Sequence, residues 1–150
     1  MYAEALGRPG EIGFIESGLA MANPLPTPVT VNLELMNMDA SSRMLPVTLV
    51  LPGNGQVARF IRELFPGLSA PSQGFLKVTA TAPISVTGVR GRYNERKDFL
   101  ITTTPPRNED MILPPAQLVF PHLVSGGGYT TQFVIFGQSS SGRLLFNSQN

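Results

Sequence analysis

The stretch Val29-Thr30-Val31-Asn32-Leu33-Glu34-Leu35 alternates apolar and polar residues without a break. A period of two puts Val29, Val31, Leu33 and Leu35 on one face, which predicts a half-buried strand. Further on, Leu45, Val47, Leu49 and Leu51 alternate again. Between the two runs Asp39-Ala40-Ser41-Ser42 reads as a turn, so together they predict a hairpin. Pro52-Gly53-Asn54-Gly55 closes the return strand, since Asn-Gly readily takes positive φ.

The same style extends outward in both directions. Upstream, Ser17 to Asn23 is an apolar strand running into a polar break at Pro24. Downstream, Gln56-Val57-Ala58-Arg59-Phe60 starts another strand or runs into a short helix. Ile61-Arg62-Glu63-Leu64-Phe65 is the one plausible helical turn, and Pro66-Gly67 ends it. Phe75 to Ala80 predicts a strand, Ala82-Pro83 a corner, and Ile84 to Val89 the next strand. Gly88 and Gly91 there predict a bulge or a close approach of backbones. Phe99 to Thr103 is another short strand. Residues 104–117 are rich in proline and read as an extended connection. Apolar strands follow at Leu118-Val119-Phe120-Pro121, at Tyr129 to Phe136 and at Arg143-Leu144-Leu145-Phe146, the first two flanking Gly126-Gly127-Gly128. Strands recurring every 8–15 residues or so, with almost no helix, predict an all-β sandwich or barrel. A doubly wound α/β fold would need long helical patterns between the strands, and there are none.

Composition narrows the function classes. Of 150 residues, 42% are apolar and only 14% charged, against about 25% charged in an average chain. Eleven basic and ten acidic residues leave a net charge of +1, which excludes a broad charge-driven surface for nucleic acid. With no cysteine there is no disulfide, no thiol catalysis and no zinc–thiolate site. No apolar run approaches the ~18 residues of a membrane span, so no membrane insertion is expected. Met1 to Arg8 does not read as a signal peptide, and an export leader would lie outside this chain.

The chain also echoes itself. Ser17 to Pro24 and Thr131 to Gln138 share one pattern, about 114 residues apart, each followed by a polar stretch and an apolar strand. The order Gly18-x-Ala20-x-Ala22-Asn23-Pro24, then Gln56-x-Ala58-Arg59-Phe60-x-x-Glu63-Leu64-Phe65-Pro66, then Gly74-Phe75-Leu76-Lys77-Val78 with Ala82-Pro83-Ile84-Ser85-Val86-Thr87-Gly88-Val89-Arg90, resembles tandem β-sandwich repeats in secreted and surface proteins of environmental bacteria. Phe120-Pro121-His122-Leu123 with the glycine run looks like the opening of the next repeat. The resemblance implies an immunoglobulin-like Greek-key β-sandwich with an extra C-terminal β-hairpin, and an extracellular or cell-surface setting. It supplies no catalytic or binding residues. The expected organisation is a sandwich module at 1–103, a connection at 104–117, and C-terminal strands at 118–150 that complete their own or a neighbouring sheet.

Groups able to do chemistry are sparse. His122 is the only histidine, and neither it nor nearby Ser125 has the context of a triad or metal site. The glycine run at 126–128 precedes a strand-like segment, not the helix a phosphate loop needs. Asn37, Asp39 and Ser41 form a weak oxygen array that a hairpin turn explains. No catalytic, cofactor or metal residue is expected. Arg90, Arg92, Arg96 and Lys97 cluster around Tyr93 and Asn94, with Arg90 and Arg92 on one strand face; they are the candidate contact for an anionic surface glycan. A lone hairpin is marginal in water, so Phe133, Ile135, Leu145 and Phe146 should be buried somewhere. They are the candidate self-assembly residues, with copies of the same chain as the expected partner.

Overall fold

The alternation around Val29 is realised as a hairpin. A computed structural model of the chain describes residues 1–108, 120, 123–128, 130–134 and 145. β3 (Val29–Met36) buries Val29, Val31, Leu33 and Leu35 and pairs antiparallel with β4 (Val47–Leu51), from Val29↔Leu51 to Leu33↔Val47. β4 begins at Val47 because Pro46 has no N–H to give the ladder, and Leu45 before it is exposed.

The chain falls into two units, Met1–Met111 and Ile112–Asn150. In the first, β1 (Tyr2–Leu6), β2 (Ile15–Ala22), β3 and β4 are followed by β5 (Gln56–Phe60), α1 (Ile61–Leu64), β6 (Ser72–Ala80), β7 (Ser85–Tyr93) and β8 (Phe99–Thr104). The fold is therefore all-β, and its strand pairs are antiparallel. The strand order is β4-β3-β6-β1-β2-β7-β8, with β5 also paired to β2. β2 holds β7 along its whole length on one edge. Its other edge is divided: β1 takes Ile15 and Glu16, and β5 takes Gly18 to Ala22. A strand with two successive neighbours on one edge forces the sheet to curl, and the curl encloses the core.

That core joins Leu19, Met21, Leu51 and Leu76 to the buried face of β3. Each such side chain contributes roughly 1.5–3 kcal/mol by leaving water. The single helical turn plugs it. The Phe60 N–H donates to the Glu63 carboxylate at 2.7 Å and starts the turn, whose Ile61 and Leu64, with Phe65 beyond, are buried. Buried Asn23 ties the turn after β2 to the end of β4: its amide donates to the carbonyls of Thr27 at 2.8 Å and Pro52 at 3.0 Å, and its carbonyl accepts from the Leu25 N–H at 3.0 Å.

At Gly88 and Gly91 the register with β2 runs unbroken from Ile15↔Arg92 to Ala22↔Ser85, so close approach is the reason for glycine, not a bulge. A Cβ on Gly91 would sit 2.6 Å from the Phe99 ring. β1 has no counterpart among the strands expected from the sequence. It is short and reads Ala3-Glu4-Ala5, all three buried.

In the second unit, the Thr131 hydroxyl accepts from the Val124 N–H at 3.0 Å and donates to the Val124 carbonyl at 2.9 Å. Phe120 and Phe133 meet edge-on with centroids 4.7 Å apart. Gly126, Gly127 and Gly128 between them all have positive φ. Among the described residues no helix is long and apolar enough to cross a membrane.

Candidate functional site

The arginine cluster lies at the end of β7 and in the turn to β8. Asn94 organises that turn: its carbonyl accepts from the N–H groups of Arg96 at 2.9 Å and Asp98 at 2.8 Å, while its amide donates to the Asp98 carboxylate at 3.0 Å. Lys97 sits in the left-handed region at φ 65.

Each arginine meets a carboxylate of this chain. Arg90 Nε donates to Glu4 Oε1 at 2.6 Å, Arg92 donates to Glu95 at 2.7 Å, and Arg96 lies 3.6 Å from Asp98. Lys97 alone of the four cations has no ion pair among the described residues. The Tyr93 ring is engaged by Phe99 at 5.0 Å and Phe14 at 5.8 Å. Chemically, then, the cluster is compensated: an anionic ligand would have to displace carboxylates already in place.

Sequence reasoning missed the carboxylates that matter. Glu4 and Glu16 are both buried, because neighbours cover both faces of β1 and of the start of β2. Burial pushes the Glu16 carboxyl above its ordinary value; the Arg62 N–H, donating at 3.1 Å, and the Arg62 guanidinium oppose the shift. Burial likewise raises the Tyr2 hydroxyl, helped by the charge of Glu4. That hydroxyl is buried near Glu4 without a hydrogen bond of acceptable geometry. The Asn37–Asp39–Ser41 array is a closed turn. The Ser41 hydroxyl and N–H both donate to Asp39, at 2.6 and 3.0 Å, and hold its carboxyl below the usual range. Among the described residues no three metal-ligating side chains converge.

Of the expected self-assembly residues, Phe133 packs on Phe120, and Leu145 is exposed. Ile135 and Phe146, like His122, lie outside the described residues.

The structure adds an open edge. β8, Phe-Leu-Ile-Thr-Thr-Thr, carries no charge and pairs only with β7 among the described residues. Phe99, Leu100 and Ile101 on it are 41%, 47% and 58% exposed. Comparisons with protein-family models, with curated proteins and with solved structures find no match to this chain.

Proposed function

We propose that this chain is a non-enzymatic, extracellular structural module that associates with copies of itself by adding strands to open sheet edges, as a filament or surface-layer subunit does. The observation that carries the reading is β8. Natural sheets blunt their edges with charges, prolines or bulges, and this edge presents three consecutive exposed apolar residues and no charge. Strand addition supplies backbone hydrogen bonds and covers such side chains together.

Two features support the repeat reading that goes with it. β2 pairs with β5 and β3 with β6, adjacencies that an immunoglobulin-like Greek key also contains, although β7 here lies on β2 and not beside β6. The contact of Val124 with Thr131 across three glycines of positive φ parallels Leu6↔Ile15, where β1 meets β2 across Gly7, Gly10 and Gly13, also of positive φ. Binding of an anionic surface glycan is the lesser reading, because of the four cations in the cluster only Lys97 lacks an ion pair among the described residues.

Sedimentation velocity tests the proposal on the full chain and on Ile101→Lys. The expected result is an assembly for the native chain and a smaller one, of unchanged circular dichroism, for the variant. A native chain that stays monomeric, or a variant that assembles equally well, overturns it.

A further inference from the structure

β6 is only half covered on one of its edges. It runs nine residues, and β3 covers the far part of one edge from Phe75 to Ala80. On the opposite edge β1 reaches only from Ser72 to Phe75, and Met1 then exchanges backbone bonds with Leu76, each 2.8 Å. In an antiparallel ladder alternate residues point their N–H and C=O to the same side. Since Leu76 faces β1, Val78 and Ala80 present their backbone groups to the same edge, beyond the end of β1. They have no partner there among the described residues.

Alongside this edge runs a groove of about 490 Å³, lined on one side by apolar groups such as Val78, Ile84 and Val86 and elsewhere by polar ones, Lys77, Arg107 and Asn108 among them. Val78, Ala82, Ile84 and Val86 are half-buried and packed on the core, so the groove opens directly onto it. An apolar cavity of about 150 Å³ accommodates one benzene-sized group, so this one admits two or three. Two backbone rungs without a partner among the described residues, in line with an existing strand and beside the apolar side chains of Ile84 and Val86, make a slot for a strand of about four residues.

We propose that this slot is the acceptor for residues 143–146 (Arg143, Leu144, Leu145 and Phe146) of a second copy of the chain. The proposal rests on the self-association reading and adds a second contact to the one at β8. The run has the length of the slot, and its one charge stands at its start. Leu145 within it is 58% exposed and so is left to be covered. In the bound state Val78 and Ala80 exchange backbone bonds with the donated run, while its Leu145 side chain enters the groove over Ile84 and Val86.

The chain has no cysteine, which permits a clean cross-linking test. Full-length Ile84→Cys and Leu145→Cys proteins are mixed and mildly oxidised. The expected result is a covalent heterodimer formed at least about tenfold faster than from Ile84→Cys mixed with Val50→Cys, an exposed control on β4. Ala82→Cys serves the same purpose if Ile84→Cys lowers the yield of folded protein. Equal rates overturn the proposal. So does the Ile84→Cys/Leu145→Cys double variant closing within one chain at a concentration-independent rate, since the slot then takes its own tail. Sedimentation of the unmodified protein separates the two levels. A monomer sinks the self-association reading and this proposal with it; an oligomer lacking the 84–145 link sinks the slot alone.

Discussion

Glu16 shows what a single buried carboxyl does to this fold. Its ordinary value is 4.5, and burial raises it in the folded chain. Between the ordinary and the raised value the folded protein holds a proton that the unfolded chain has released. Stability through Glu16 therefore falls as pH rises through that window, opposite to the usual carboxylate. Glu16→Gln should remove this slope: relative to the variant, the native chain loses urea resistance as pH rises from the ordinary value of 4.5 through the raised one. A constant difference in unfolding midpoint across that range would refute the assignment. Such a residue was not legible beforehand, because Glu16 stands beside Ile15 and Ser17 like any surface residue of an alternating strand. Only the crowding of β2 by three neighbouring strands buries it. Arg90 hides in the same way. Its parity with Arg92 could be read from the sequence, whereas its carboxylate partner, Glu4, is 86 residues away.

Among the elements, the strongly alternating ones were legible and the weakly patterned ones were not. β3 and β4, the helical turn before Pro66-Gly67, and β6 follow from apolar spacing and turn residues. β1 escaped because small residues and a glutamate give no hydrophobic period; it is a strand because β6 and β2 both pair with it, and Ala3 and Ala5 are buried there. The groove beside β6 was equally unreadable, since it arises from the unequal lengths of β1 and β6. α1 is four residues long, too short to be stable by itself, so packing must hold it. Ile61→Ala should accordingly cost about 2–5 kcal/mol, seen as a lower urea midpoint. A loss below about 1 kcal/mol would show that the turn does not plug the core.

At the scale of the molecule, a net charge of +1, with Arg90, Arg92 and Arg96 each paired to a carboxylate, leaves little long-range field. Association through apolar edges should therefore be nearly indifferent to ionic strength, unlike association between charged surfaces. Raising salt from about 0.05 M to about 0.5 M should leave the sedimentation profile unchanged or strengthen it; dissociation at high salt would point to ion pairs instead.

The divided edge of β2 also sets a timetable for synthesis. Its near neighbour β1 is made first, but β5 follows some forty residues later and β7 is complete only at Tyr93. A chain emerging from the ribosome carries β2 unclosed until β7 has been translated as far as Tyr93. Folding dominated by such distant pairings is slow, and the waiting strand is open to passing partners throughout. The residue that ends this exposure is Arg92, which meets Ile15 only after the intervening strands have left the exit tunnel.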